Sequence, residues 1–445
     1  VLLLILLILS IIFLVVSTTR YNIHAFFSLL TVAIFFALFA GMPLPEIVNS
    51  VEEGFGGTIG KIGIVVIAGT VIGTFLEKSG GAFAMAEAIL KLIGKKSISL
   101  TMAVVGYIVS IPVWADSGFV ILLPLTRALT KRAKISLATT ALSLSLGLIA
   151  AHTMMPPTPG PIAAAGILDA DLGTVILIGF PISFAVAIVG WLFATKLASR
   201  VYIDADSDHT DQQISALAEE AGSPFKAFAP ILVPIFLIVL KSIADYPTHP
   251  FGIGSLANFF SFIGSPLIAL LIGILLALTL PKKFDTKMLS ASGWVGEGIL
   301  AAAIIILITG AGGAFGKVLQ NSGIADVVGH QLSGYNIGIW LPFLIAAAIR
   351  VAQGSATVAI ITTASILAPM TTALGLDSGI AKALMVLVIG SGSFVGAHAN
   401  DSFFWIFTQM IKIDVRTGLK LMTLGSTVCG FSGAIIIWIV SLIVL

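Results

Sequence analysis

The sequence predicts an all-α, polytopic membrane protein made of two halves, each interrupted by polar breaks at membrane depth. Three observations carry this. Of 445 residues, 58% are hydrophobic and only 10% are charged, against roughly 25% charged in an average soluble protein. Apolar runs close to the ~20 residues that a helical span requires recur from one end of the chain to the other. Two runs rich in Gly, Pro and polar side chains, Ser145–Pro161 and Gly390–Phe407, interrupt apolar surroundings. A transmembrane β-barrel would instead show short segments of alternating polarity. The net charge of +2 gives no basis for nucleic-acid binding, and a lone Cys429 leaves no internal disulfide.

Apolar stretches fall near 1–19, 23–44, 59–77, 99–115, 117–130, 135–151, 173–195, 227–244 and 262–281, then 298–316, 338–352, 356–370, 380–397, 403–411 and 421–445. The first resembles a signal-peptide core but lacks a basic n-region and a small-residue cleavage site, so it is read as a span. Several stretches are too short, or too rich in Gly and Pro, to cross alone. They predict about 11 to 14 passes, some of them broken or re-entrant.

Basic residues collect at Arg20, Lys91/Lys95/Lys96, Lys131/Arg132/Lys134, Lys196/Arg200, Lys282/Lys283/Lys287 and Lys412/Arg416/Lys420. The intervening loops 45–58 and 245–261 contain no Lys or Arg. Lys and Arg in short loops stay on the cytoplasmic side, which puts the first loop inside and both termini outside. The most polar segment, 201–226, carries Asp204, Asp206, Asp208, Asp211, Glu219 and Glu220. Its DADSD run spaces carboxylates as a calcium loop does, but the later Gly and Glu of an EF-hand are absent. It reads as a solvated linker between a first membrane half, 1–200, and a second, 227–445.

An internal repeat supports the two halves. IAGTVIGTFLEKSG at 67–80 aligns without gaps to GAGGAFGKVLQNSG at 310–323, with six of fourteen positions identical, Gly69/Gly312 and Gly73/Gly316 among them. That offset is 243 residues, and aligning His152 with His398 gives 246. Repeats interrupted at corresponding places point to the binding site of a secondary transporter. Parallel and inverted repeats are both compatible with the letters.

The chemistry concentrates at the breaks. A half-helix that starts inside the membrane aims N–H groups and a positive dipole end at the gap, which suits an anion. The run Pro156-Pro157-Thr158-Pro159-Gly160-Pro161 must break its helix, and Thr158 offers a hydroxyl there. Asp401 could accept a proton or, with Asn400 and Ser402, bind a ligand hydroxyl; Asp and Asn also cap helices. His152 and His398 could relay protons or pack as neutral residues. Asp116, in the otherwise uncharged run IPVWADSGFVILLP, is a candidate proton carrier or a hairpin cap. Arg350 precedes Gln353-Gly354-Ser355-Ala356-Thr357, another hairpin-like break. It could clamp a carboxylate or pair with a structural acid such as Asp401. Arg127 reads as snorkelling to the surface, and Lys61, Glu77 and Lys78 as span-end residues. No phosphate loop, HEXXH motif or nucleophile–base pairing is recognisable, so the chain does not read as an enzyme, and uphill transport would draw on an ion gradient.

The PPTPGP run, ITGAGGAF at Ile308–Phe315, GSATVA at Gly354–Ala359 and GSGSFVGAHANDSFFW, in this order, resemble the gluconate permease (gluconate:proton symporter) family over nearly the whole chain. The resemblance implies a bacterial inner-membrane carrier for gluconate or a related sugar acid, coupled to H+. Relatives that serve glycerate or D-serine, and coupling to Na+, are the alternatives. It also implies the ion-transporter superfamily fold, a homodimer in membrane lipid with a scaffold and an elevator-type transport domain, and no cofactor. Pro156–Pro161, Gly354–Thr357 (with Ser355) and Asn400–Ser402 carry over as site lining, and Asp116 fills the place of an acid before a Gly-Phe turn. Where the family commonly reads PPHP, Thr158 replaces the His.

Overall fold

The computed structural model describes residues 2–94, 97–205, 222–246, 250–324, 327 and 338–445. Most of the polar linker expected over 201–226 lies outside the described residues, as do Lys95 and Lys96 of the basic map. Among the described residues all the regular elements are helices. Apolar sequence with backbone donors satisfied inside each segment is what a bilayer demands.

Two long helices form a central frame. Helices α1 (Leu2–Thr19) and α2 (Ala25–Phe39) lead into α3 (Leu44–Lys78), which has 35 residues. Its partner far along the chain is α13 (Trp294–Asn321), of 28 residues. The two run antiparallel. Lys78 Nζ meets Glu297 Oε2 at 2.5 Å at one end, and Asn321 Nδ2 donates to Ser50 Oγ at 2.8 Å at the other.

The stretch 45–58, expected as a loop, is instead the first part of α3. Its glycines lower helix propensity, yet packing claims one of them, Gly54. A Cβ at Gly54 would stand 2.4 Å from the Gly313 carbonyl oxygen of α13. Helix propensity lost at glycine is returned here as close backbone approach.

The remaining helices come in short pieces. A turn follows α3 into α4 (Gly81–Ile93), an amphipathic helix with no counterpart among the expected apolar stretches. Then come α5 (Ile98–Val109) and α6 (Ala115–Ala133), joined at a break over 110–114. Next are α7 (Leu137–Met154) and α8 (Pro159–Leu168), broken at 155–158 as the prolines require. Helix α9 (Leu172–Lys196) closes this group. After the linker, α10 (Pro224–Ala244) packs on α9 and on α12 (Pro266–Ala277), which meets α11 (Ser255–Ile263) at a 60° bend.

The same alternation of hairpin and broken helix follows α13. Helices α14 (Trp340–Gln353) and α15 (Ala356–Leu367) turn at Gly354-Ser355, and α16 (Gly379–Gly392) and α17 (Ser402–Met410) are separated by an irregular 393–401. Helix α18 (Leu424–Val444) follows a short helix and a π turn.

Six described stretches are long and apolar enough to cross a membrane, seven if the bent α11–α12 pair is one span. Against the 11 to 14 passes expected, the remainder are apolar helices of 10–17 residues. Composition alone does not separate these from spans. The α7–α8 stretch is the most enclosed, with 94% of its apolar window buried, so protein and not lipid surrounds this break.

Candidate functional site

Four breaks, at 110–114, 155–158, 354–355 and 393–401, are brought to one region of the molecule. Three of them surround a cavity of about 300 Å³. Its walls are Trp114–Asp116 at the start of α6, Ile149 and His152 of α7, Arg350 and Gln353–Thr357 at the α14–α15 turn, and Asn400–Phe403 at the start of α17.

Side chains cap both helix ends and helix starts here. The α14 carbonyls that lack intrahelical partners are covered by side-chain donors. Asn400 Nδ2 donates to Val351 O at 2.8 Å and to Ala352 O at 3.1 Å. His398 Nε2 lies 2.9 Å from the same Val351 O, and Arg350 Nη1 donates to Gly354 O. The negative end of α14 is thereby covered, while the first turns of α6, α15 and α17 and the last turn of α7 line the cavity, three positive ends against one negative. An anion fits that field.

Gly354 makes the turn possible. Its φ is +87°, and an added Cβ would sit 2.1 Å from Asn400 O. Only glycine accepts both conditions. Ser355 Oγ then accepts from Val358 N at 3.3 Å and caps α15.

Arg350 and Asp401 are buried, at 3% and 7% exposure. Arg350 Nη2 pairs with Asp401 Oδ2 at 2.5 Å, and Arg350 Nε donates to Ser393 O at 2.9 Å. Asp401 Oδ1 accepts from Phe403 N at 3.0 Å, capping α17. Of the two roles left open for Arg350, pairing with a structural acid is the one seen. Asp116, in the first turn of α6, accepts from Ser402 Oγ at 3.4 Å, so α6 and α17 meet at their starts. The Trp114 ring lies against His152, with centroids 5.6 Å apart.

Nine of the twelve site residues expected from the sequence line this cavity: Asp116, His152, Arg350, Gly354, Ser355, Thr357, Asn400, Asp401 and Ser402. Three do not. The Thr158 hydroxyl donates to Met155 O inside its own break. Gly160 packs α8 against α15, where a Cβ would come 2.9 Å from Ile360 Cδ1. His398 caps α14 from the rim.

Sequence reasoning missed Trp114 and Gln353, since one aromatic and one amide beside a break have no spacing signal. Arg127 does not simply snorkel; it donates to Met410 O at the end of α17. Lys61 sits mid-helix in α3 and pairs with Asp169 at 3.2 Å. Among the described residues no group of three His, Cys, Asp or Glu side chains is placed to hold a metal.

Broken helices around a cavity with charged and polar walls, in a chain with several apolar spans, define a multi-pass membrane transporter. The description GntP family permease matches residues 2–443, and the chain belongs to that family. It is 36% identical to a gluconate permease of Pseudomonas aeruginosa over 441 residues, covering 98% of this chain and 96% of the relative. It is 34% identical to an inner membrane permease, YgbN, of Escherichia coli, covering 97% and 96%. It is 31% identical to a high-affinity gluconate transporter of Escherichia coli, covering 96% and 97%. The fold is shared with the YdaH transporter of Alcanivorax borkumensis at a TM-score of 0.56 and 17% identity, over 89% of this chain and 88% of that one. The protein is thus a permease and not an enzyme, and resides as a multi-pass protein in a bacterial inner membrane.

Proposed function

We propose that this permease is a proton-coupled secondary transporter that takes up gluconate or a closely related sugar acid. The observation that carries the reading is the field of the cavity, which three helix starts face against one helix end, that of α7, with the α14 end covered. The relatives named as gluconate transporters supply the substrate class. Uptake into proteoliposomes, driven by an imposed pH gradient with and without sodium, tests it. Accumulation that needs sodium at constant pH would sink the proton assignment.

In this reading the helix starts and Thr357 take the carboxylate, and Asp116 carries the proton, exchanging its hydrogen bond with Ser402 as it does so. Arg350 and Asp401 hold the α14–α15 turn to α17. A carrier for glycerate, D-serine or another small organic acid, coupled to protons or sodium, is the second reading. The inward-turned Thr158 hydroxyl favours it, because the cavity then offers fewer partners to a long polyhydroxy chain.

We also infer two inverted repeats, 1–200 and 227–445, and an elevator movement. Elements of the halves correspond in order, α3 with α13, α5–α6 with α14–α15, and α7–α8 with α16–α17. The antiparallel α3–α13 frame supports inversion, as does the shared Ser-Gly end of both helices, with φ of 71° at Gly80 and 74° at Gly323.

The matched glycines supply a displacement. Gly69 and Gly73 of α3 face Pro157 and Pro112, at break tips, whereas Gly312 and Gly316 of α13 face Ser365, near the far end of α15. Exchanging these environments would bring the Ser355 tip to where Ser365 stands, ten residues along α15, about 15 Å at the helical rise. The moving body would comprise α5–α8 and α14–α17. A homodimer in lipid, built on the frame side, completes the reading, and mass measurement in detergent tests it.

A further inference from the structure

We infer that His152 is a specificity-determining residue, a neutral hydrogen-bond donor to a hydroxyl of the transported acid, and not a proton carrier. This rests on the sugar-acid reading above.

His152 lies in the last turn of α7, and its side chain lines the cavity together with Asp116, Thr357 and Asn400. The Trp114 ring lies against it, tilted by 43°. The other observation concerns its nitrogens. Nδ1 is sealed from solvent and has no hydrogen-bond partner among the described residues. A buried polar atom left in that condition calls for an explanation.

Hydrogen-bond chemistry gives one. A charged imidazole carries an N–H on both nitrogens, and the one on Nδ1 would have no acceptor. In the neutral ring, a lone pair left unmatched at a sealed position is less unfavourable than an unmatched N–H. The proton therefore belongs on Nε2, the nitrogen that remains for the cavity. His152 is by this argument a fixed donor and is poorly suited to gaining and losing a proton.

What it donates to follows from the other groups. The carboxylate is provided for by the helix starts. The two side-chain amides at the cavity are already engaged: Asn400 Nδ2 donates to Val351 O and Ala352 O, and Gln353 Nε2 to Ser355 O. The imidazole joins the Trp114 indole and the Ser355 hydroxyl as a donor available to the hydroxylated part of the chain. A site that donates to a substrate hydroxyl disfavours analogues that lack it.

The test uses purified full-length protein and direct binding of gluconate and of hexanoate, which has the same carbon count without hydroxyls. His152→Phe keeps a ring against Trp114 and removes both nitrogens; His152→Gln keeps a donor. The expected result is that His152→Phe weakens gluconate about tenfold, the worth of one hydrogen bond, with hexanoate binding unchanged and with His152→Gln recovering much of the loss. Gluconate binding by His152→Phe within twofold of wild type overturns the inference, as does equal weakening of both acids, which marks a structural role. Wild-type binding coupled to lost pH-driven uptake in His152→Phe would return His152 to the proton path and also overturn it. Wild-type protein that binds no sugar acid sinks the substrate reading itself, a separate outcome seen before any variant is made.

Discussion

Arg350 and Asp401 stand 51 residues apart in the chain and meet through a 2.5 Å ion pair with less than a tenth of either residue exposed. The pair joins the end of one half-helix to the start of another. Removing one member leaves the other charge buried, which typically destabilises by about 3–5 kcal/mol. Arg350→Met should therefore lower the unfolding midpoint in detergent strongly, and Arg350→Met with Asp401→Leu should recover part of the loss. An additive double variant would show that the two act separately.

Gly354→Ala addresses the turn itself. The substitution meets both an unfavourable φ and the Asn400 carbonyl, so a loss of more than about 1 kcal/mol is expected. Gluconate affinity should fall with it, read by thermal shift with and without ligand. A variant as stable as wild type would mean that the 393–401 segment can move aside.

Asp116→Asn keeps shape and removes the titrating group. Under the proposed function it abolishes accumulation driven by a pH gradient and leaves gluconate–gluconate exchange measurable. Accumulation at the wild-type level, at equal protein in the membrane, removes Asp116 from the proton route.

Thr158→Val separates the prolines from the hydroxyl. Because that hydroxyl serves Met155 O, its loss should leave gluconate affinity unchanged and lower stability by about 1 kcal/mol. Weakened binding at unchanged stability would place Thr158 in the site in another conformation.

Lys61 and Asp169 form an exposed ion pair between the frame helix α3 and the end of α8. Cysteines at both positions, joined by a short bifunctional reagent, should stop uptake if α8 moves along α3. The one native thiol, Cys429, is buried and leaves the background quiet. Uptake that persists with both positions linked would argue against the elevator movement.

Much of this was legible in the letters, for stated reasons. The breaks at 155–158 and 393–401 follow from proline chemistry and from a polar knot in apolar surroundings, both local properties. The α14–α15 turn was visible because Gly354 and Ser355 follow an isolated arginine. The orientation of side chains at a break was not legible. Thr158 turns back to Met155, His398 caps a helix 47 residues earlier, and Arg127 reaches the end of α17, 283 residues later. Each outcome depends on a neighbour brought by the fold. The 45–58 segment failed for the opposite reason, since it continues a helix in which Gly54 serves packing against α13 and not a turn.

The antiparallel frame has an electrical consequence. Helices α3 and α13 have 35 and 28 residues and point in opposite directions along their contact. Their macrodipoles oppose one another and largely cancel. The backbone of the frame is thus close to silent towards a passing ion, and the potential felt in the cavity is written by the short helices and the side chains they carry, Arg350, Asp401 and Asp116 among them. If those helices travel as one body, the ligand carries its electrostatic surroundings with it across the membrane and meets a nearly neutral wall along the way.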